Sequence, residues 1–467
     1  MKQVFSSIHS PVEKRLYNIG LIVYVFLLIL SVVYYQERVI LYDNSFYLFE
    51  MIRTESFCIQ RFRVISFLPE LLAFLAIKIG APLIVVSVLF SVGYSLFYFV
   101  IYLIVGLFLR KYQLAIVLLL VNTLIVSHTF FWNISELYLG IGLLILFFAI
   151  ATEKKFKTLN VWQNNTLLFL LILISSSHPL ILFPFAFMLY YLFRQKALEG
   201  KMTLYISSVF LIFYIVNRVY FTDWYDSEKL NAVNNIKTLF PHYLNIETNH
   251  LLLKDAIRPY LFALILWVIS LAFYLQKRKC FDLIITNLFL FGYLFLVNVS
   301  FPNGVKSFYM ENMYLVVSMV LGLIFIFEIV PTFKRKAIAP AFILIISIAC
   351  IGRIVYYKQE YTDRINWYKT YFEGQENKNI ALPTDVAPNE ILTMSWAIPF
   401  EVNILSTIEY GETYGLVFLD ELNERNEEKP FFQNQFITPW SKIPYNELPQ
   451  QYFKFSNEPY LVKYELK

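Results

Sequence analysis

Glycine is scarce in this chain of 467 residues, with 14 in all, and neither a GxxxxGK[ST] nor a GxGxxG motif is present. A glycine-rich loop that holds nucleotide phosphates is therefore not expected. Charge is also low, because 16% of the residues are charged against about a quarter in an ordinary soluble domain. The three cysteines, Cys58, Cys280 and Cys350, are far apart and form no CxxC pair. This spacing indicates neither a zinc site nor a disulfide framework.

Apolar residues, by contrast, make up 58% of the chain, and the mean hydropathy is +0.57. They occur in long runs such as LIVYVFLLILSVVYY, whereas a helix that crosses a membrane needs about 20 apolar residues. These features exclude an ordinary cytosolic enzyme, a disordered chain and a secreted disulfide-rich scaffold. The clear candidate crossings are roughly 17–35, 83–109, 113–131, 136–152, 203–221, 257–276, 281–300, 312–331 and 338–356.

Two further stretches, 63–80 and 165–193, are ambiguous, and the distribution of basic residues decides between the alternatives. One topology places every short basic cluster inside. In it, 63–80 lies at the outer membrane interface, and 165–193 crosses twice with a turn at His178-Pro179. In the competing topology, 63–80 crosses the membrane and 165–193 crosses it once. That topology places the basic clusters Arg110-Lys111 and Lys154–Lys157 outside and is rejected. The favoured arrangement has about eleven crossings, the N-terminus inside and the C-terminus outside.

The expected fold class is therefore an all-α polytopic membrane protein with a small C-terminal extracytoplasmic α/β domain. Residues 1–357 form the transmembrane part, within which 36–81 is a first outer loop with juxtamembrane helices. Residues 358–467 form the C-terminal domain, where charged and polar residues return. The first apolar run is long and lacks a cleavage motif, so it is predicted to be a signal anchor. Short strand-like runs in the tail are NIAL, TYGLVFLD and YLVKYEL.

The first outer loop holds the first candidate site residues. Asp43 lies just beyond the first crossing, where it would act as a general base at the membrane surface. Its alternative interpretation is a solvated loop carboxylate or a charge at a helix N-terminus. Arg61 and Arg63 follow in the same loop and would bind a lipid phosphate, since the guanidinium group matches phosphate oxygens. Contact with lipid headgroups is the alternative for both.

Two more candidates lie at predicted outer turns. Glu136, in WNISELY, would share a divalent metal ion with Asp43 or divide base and positioning roles with it. Otherwise it is an acid at a helix start. His178, in SSSHPLILFPF, would donate to a phosphate or bind a metal. Its alternative is a polar turn in front of Pro179.

The segment FPNGVKSFYMENMYLVVS re-enters the membrane and supplies the last two candidates. Lys306 would neutralise a leaving phosphate. Glu311 would either cap the helix start or orient Lys306. The modest net charge of +5 follows the membrane borders, and no nucleic-acid partner is expected.

This pattern resembles the GT-C superfamily of membrane glycosyltransferases, and most closely its protein-mannosyltransferase and aminoarabinose-transferase branch. The segments that carry the resemblance are YDNSFYLFEMI, RFRVISFLPELLAFLAIKIGAP, WNISELYLG and SSHPLILFPF. The resemblance implies transfer of a sugar from a polyprenyl-phosphate carrier to a glycan, lipid or protein acceptor outside the cytosol, with inversion. It also implies a bacterial plasma membrane as the location.

On this resemblance Asp43 would deprotonate the acceptor, and Arg61, Arg63 or Lys306 would stabilise the leaving phosphate. Glu136 would position the acceptor or a divalent ion. Two other classes stay open. One is a flippase or exporter of lipid-linked glycans, although mid-span polar residues such as Asn122 and Asn298 are few. The other is a non-catalytic membrane assembly protein.

Overall fold

A computed structural model describes residues 11–153, 160–231, 234–304, 307–388, 390–422 and 434–463. The chain is mainly helical. In chain order the helices are α1 Pro11–Val33, α2 Tyr35–Val39, α3 Tyr42–Thr54, α4 Phe67–Lys78, α5 Leu83–Leu103, α6 Tyr112–Val121, α7 Glu136–Ala151, α8 Val161–Ser177, α9 Leu182–Arg194, α10 Gly200–Tyr220, α11 Trp224–Asn231, α12 Asn235–Thr238, α13 Glu247–Ile257, α14 Leu261–Gln276, α15 Cys280–Ser300, α16 Ser307–Ile324, α17 Ile338–Glu373, α18 Ile398–Tyr410 and α19 Leu419–Leu422.

Within the described ranges, six helical segments are long and apolar enough to cross a membrane. They contain α1, α5, α10, α15, α16 and α17. A seventh arises if α13 and α14, which meet at a bend of 86°, are counted as one span. Helices suit this setting because they satisfy their own backbone hydrogen bonds where water is absent. The chain is therefore a helical integral membrane protein, as predicted.

The remaining predicted crossings coincide with shorter helices. α6 has 10 residues, α7 has 16 and α8 has 17. α9 has 13 and follows a 3-10 turn at Pro179–Ile181. Each is shorter than the roughly 20 residues of an ordinary span, so the predicted count of eleven crossings stays a prediction.

Burial divides the long helices into central and peripheral ones. In α16 and its π-helical extension, 89% of the most apolar stretch is buried, against 17% in α10 and 22% in α15. α10 and α15 instead expose large apolar side chains such as Ile212 and Leu288. Such faces are expected to contact lipid. The core of the protein therefore forms around α16.

The first loop contains three helices ahead of α5, and the short α2 begins at its edge. α3 follows α2 closely, and a 3-10 turn at Val64–Ser66 leads into α4. α4 packs closely on α5, where a Cβ atom at Gly93 would collide with the carbonyl oxygen of Pro69. Glycine is required here because the two backbones approach each other directly. The helix predicted in 63–80 is present as α4, and its position at the membrane interface stays a prediction.

The C-terminal segment contains the strands β1 Asn379–Leu382, β2 Gly415–Phe418, β3 Gln435–Ile437, β4 Lys442–Pro444 and β5 Leu461–Val462. A parallel sheet has the order β2-β1-β5, with Ile380 opposite both Leu416 and Leu461. β3 and β4 pair antiparallel. The three predicted strand-like runs are thus confirmed as β1, β2 and β5. α17 is continuous through 357–358, so the predicted domain boundary falls inside one helix.

Candidate functional site

The helix α3 begins on a strained residue. Tyr42 has a φ of +41°, a left-handed conformation that costs a non-glycine residue about 1–3 kcal/mol. Its backbone N–H donates to Oε1 of Glu401 at 2.6 Å, and its hydroxyl bonds Oγ1 of Thr393 at 2.7 Å. The guanidinium carbon of Arg364 lies 4.7 Å from its ring centroid. These contacts hold Tyr42 in place directly before Asp43.

Glu401 is itself held by a buried ion pair between α18 and α17. Nε of Arg364 donates to Oε2 of Glu401 at 2.7 Å, and the Tyr368 hydroxyl donates to the same oxygen at 2.6 Å. Arg364 also donates to the carbonyl oxygens of Ile391 and Thr393. A charge this deeply buried is tolerated because it is paired with an opposite charge and hydrogen-bonded to neighbouring groups. The start of α3 is therefore anchored to the C-terminal part of the chain.

Asp43, the predicted general base, is half-buried in the first turn of α3. Its Oδ2 accepts a hydrogen bond from Nε1 of Trp132 at 3.0 Å. Burial raises the pKa of Asp43 to about 6; the Trp132 hydrogen bond opposes this rise, and the Glu136 charge adds to it. A carboxylate with this pKa is ionised at neutral pH and accepts a proton more readily than an ordinary aspartate.

Glu136, the second predicted carboxylate, starts α7 behind the N-cap residue Ser135. Its Oε2 accepts from Nη1 of Arg63 at 3.0 Å, and its Oε1 accepts from the Tyr47 hydroxyl at 3.3 Å. Tyr47 lies on α3, one turn beyond Asp43. The structure therefore places the two predicted carboxylates in one neighbourhood, with the charge of Glu136 acting on Asp43.

Arg63 continues this cluster toward α11 and α10. Its Nη2 donates to Oδ1 of Asp226 at 2.6 Å, and Nη1 of Arg218 donates to Oδ2 of the same carboxylate at 2.9 Å. Burial alone would lower the pKa of Arg63, but the Glu136 and Asp226 carboxylates raise it above its ordinary value. Arg63, predicted to bind phosphate, is thus committed to two ion pairs.

Arg61 is the more accessible of the two loop arginines. Its side chain is 28% exposed, against 9% for Arg63, and its Nη1 pairs with Oδ2 of Asp223 at 2.9 Å. Its guanidinium carbon lies 5.5 Å from the ring centroid of Trp224. Arg61 and Phe62 both have positive φ angles, 55° and 59°, which is uncommon for non-glycine residues. Arg61 therefore lies at the more accessible side of the cluster.

His178 is brought to the same arginines. Burial lowers the pKa of His178 well below its usual value, and the charges of Arg63 and Arg218 lower it further. The ring is therefore neutral at pH 7. Because Nδ1 accepts from the backbone N–H of Leu180 at 3.1 Å, the proton of the neutral ring is on Nε2. His178 thus keeps a hydrogen-bond donor but carries no positive charge.

Glu311 has a different setting from the one predicted. It is fully buried in α16 and accepts from the backbone N–H groups of Ser127, His128 and Thr129 at 2.7, 3.2 and 2.7 Å. The hydroxyls of Ser127 and Thr129 also donate to it. Glu311 therefore fixes the turn that leads to Trp132. Its predicted partner Lys306 lies outside the described residues.

A divalent metal ion does not fit these residues. The part of the chain that the structure describes contains no group of three or more histidine, cysteine, aspartate or glutamate side chains suited to a metal. Glu136 is already paired with the Arg63 guanidinium, whose positive charge disfavours a second cation at this position, and Asp43 accepts from Trp132. The side chains of the cluster therefore supply its acid–base and anion-binding chemistry.

Several residues of the site were not predicted from the sequence, namely Trp132, Asp226, Arg364 and Glu401. Trp132 has a weak signal, since it lies in the same turn as Glu136. Glu401 has a stronger one, because a carboxylate within the apolar run IPFEVNIL requires a buried partner. Comparison with protein-family models, curated proteins and solved structures finds no match for this chain.

Proposed function

We propose that this protein is an inverting membrane glycosyltransferase that moves a sugar from a polyprenyl-phosphate donor to an extracytoplasmic acceptor. One observation carries the proposal. Asp43, Arg61 and Arg63 of the first loop meet Glu136 and His178, which come from two distant turns. A base beside buried and accessible arginines suits a reaction that removes a proton and releases a phosphate.

In the proposed reaction Asp43 takes the proton of the acceptor hydroxyl or amine. The acceptor attacks the anomeric carbon, and the bond from that carbon to the phosphate oxygen breaks. The electron pair leaves with the polyprenyl phosphate, which accounts for inversion in a single displacement. Arg61 stabilises the phosphate charge, because its side chain is the more accessible of the two loop arginines.

The other cluster residues support this arrangement. Arg63 holds Glu136 in a fixed orientation through their 3.0 Å ion pair, so that Glu136 positions the acceptor. His178 donates a hydrogen bond to the phosphate through Nε2. Lys306 stays a predicted phosphate contact, and Glu311 is proposed to act indirectly, through the turn that leads to Trp132.

The proposed placement is a bacterial plasma membrane, with about eleven crossings, the N-terminus inside and the C-terminus outside. This topology requires α8 and α9 to form a buried hairpin that turns at His178. The location of His178 beside Arg63 and Arg218 supports this hairpin, because it places the turn at the cluster.

The test is the variant Asp43→Asn, assayed in membrane vesicles with a labelled polyprenyl-phosphate sugar. Release of polyprenyl phosphate with incorporation of label into an acceptor is expected to fall by about 10²- to 10⁴-fold, the usual contribution of a general base. Asp363→Asn is the matched control, because Asp363 is exposed and bonded only to Gln359 in the described contacts.

Unchanged transfer by Asp43→Asn would contradict the proposal. Movement of the labelled lipid across the membrane without any transfer of sugar would favour the carrier class instead.

A further inference from the structure

A buried arginine without a counter-charge lies in α2, apart from the ion-pair cluster. Arg38 is 1% exposed. Its Nε donates to Oγ of Ser91 at 2.8 Å, and its Nη2 donates to the Ser91 carbonyl oxygen at 2.9 Å and to Oγ of Ser95 at 3.3 Å. Its Nη1 donates to the carbonyl oxygen of Phe130. All of these acceptors are neutral.

The other buried arginines of the described structure differ from Arg38 in this respect. Arg63 faces Glu136 and Asp226, and Arg364 faces Glu401. In the described part of the chain no carboxylate forms an ion pair with Arg38. A buried charge is costly unless it is paired. Arg38 therefore lacks the carboxylate partner that compensates the buried charge of Arg63 and of Arg364.

A cavity lies next to this guanidinium, between α1, α5 and the turn before α7. Its volume is about 30 Å³, enough for about two water-sized species. Five buried polar atoms on its lining residues have no hydrogen-bond partner among the described residues. They are the hydroxyl oxygens of Tyr24, Tyr94 and Tyr98 and both side-chain polar atoms of Asn133.

The lining is rich in hydrogen-bond donors. Three tyrosine hydroxyls and the Asn133 amide can all donate. A guanidinium group has five N–H groups, and the four hydrogen bonds of Arg38 leave one of them without an acceptor among the described residues. Donors that converge beside an uncompensated positive charge are the chemistry of an anion site. Burial lowers the pKa of Arg38 to about 9, which is consistent with the missing counter-charge.

We infer that a small monovalent anion of chloride size occupies this cavity as the counter-ion of Arg38. The tyrosine hydroxyls and the Asn133 amide would hold it, and it would stabilise the junction of α1, α2 and α5. Chloride binding at this cavity is independent of the proposed glycosyltransferase function, because the lining residues lie outside the Asp43 cluster.

The experiment measures the unfolding temperature of the purified protein in detergent, in sodium chloride, sodium bromide and sodium gluconate at equal ionic strength. Gluconate is too large for a cavity of about 30 Å³, so charge screening stays constant while occupancy changes. We expect a saturable rise of the unfolding temperature with either halide, as for any ligand that binds only the folded state.

The variant Asn133→Asp places a carboxylate at the cavity and should remove this halide dependence. Asn446→Asp is the control, because Asn446 is exposed in the C-terminal segment; it should keep the full dependence. Equal unfolding temperatures in halide and gluconate, as expected for a cavity that holds only water, would overturn the inference. A halide effect that Asn133→Asp leaves unchanged would also overturn it.

If Asn133→Asp does not fold, the chloride NMR line width of the unaltered protein decides the question. If the protein broadens the chloride line and added bromide reverses this broadening by competing for the cavity, the anion site is supported. No excess broadening overturns it.

Discussion

At the scale of single residues, burial decides what a charged side chain can do in this protein. Asp43 is half-buried beside one donor, Trp132, and its pKa rises to about 6. Arg63 is buried between two carboxylates, which keep it charged. His178 is half-buried beside two arginines and is neutral. These settings give the cluster a base, a fixed cation and a neutral donor.

The first prediction concerns the pH dependence of transfer. Asp43 is protonated below a pH of about 6, so kcat/KM should fall as the pH drops through that value. The Trp132 N–H group stabilises the charged form of Asp43. Trp132→Phe removes this hydrogen bond, so the pKa of Asp43 should rise further. The midpoint of the pH profile of kcat/KM should then move to higher pH.

Trp440→Phe is the control for this profile, since Trp440 is half-exposed and packs on Phe46 and Phe400 without contacting Asp43 in the described structure. Its midpoint should stay where it is in the unaltered protein. If Trp132→Phe lowers the maximum of kcat/KM but leaves the midpoint of its pH profile unchanged, the role given to this hydrogen bond is refuted.

At the scale of elements, two buried carboxylates hold the segments that carry the site. Glu401 on α18 fixes the strained start of α3 through the N–H group of Tyr42. Glu311 on α16 fixes the turn before Trp132 through three backbone N–H groups. Because Asp43 and Trp132 lie on these two segments, the two anchors together determine their hydrogen bond.

The second prediction tests one of these anchors. Glu401→Gln leaves Arg364 buried without a counter-charge, and the free energy of unfolding should fall by about 3–5 kcal/mol. Glu409→Gln is the matched control on the same helix. Glu409 pairs with Lys369 at 3.0 Å, and both side chains are more than a quarter exposed, so its loss should cost less than about 1 kcal/mol.

Denaturant unfolding in detergent, followed by circular dichroism, measures both variants. Equal losses of stability in the two would show that Glu401 is no more important than a surface ion pair.

At the scale of the whole molecule, the arrangement connects the C-terminal segment to the first loop. α16 lies at the centre, while α10 and α15 expose apolar faces. α17 extends over 36 residues from its apolar start to the segment that contains Arg364. The C-terminal part therefore reaches the start of α3 through one continuous helix and α18.

The third prediction concerns the orientation of the chain in the membrane. In a variant with the three cysteines replaced, single cysteines at Ser227 and Glu447 should react with an impermeant maleimide from outside intact cells. Cysteines at Lys196 and Arg278 should react only after the cells are opened. All four positions are exposed, so access depends on the side of the membrane. Labelling of Glu447→Cys only from inside would contradict the proposed orientation and the shared outer face of the site.

Much of the local structure could be predicted from the sequence. Long apolar runs form helices because lipid offers no partner for an open backbone, and α1, α5, α10 and α15 follow such runs closely. The short strands β1, β2 and β5 were predicted for a similar local reason, since apolar and β-branched runs are bounded by turn residues. The positions of Asp43 and Glu136 near the ends of apolar runs also marked them as candidates.

The sequence by itself therefore determined the class of the protein and the positions of most helices, because these depend on neighbouring residues and on lipid as the solvent. Only the tertiary structure decided the partners. Tyr42 and Glu401 are 359 positions apart in the chain, and Glu311 accepts a hydrogen bond from Ser127, which is 184 positions away. Such pairs leave no periodic signal in the chain. They form because a charge removed from water must find a counter-charge or donors wherever the packed helices place them.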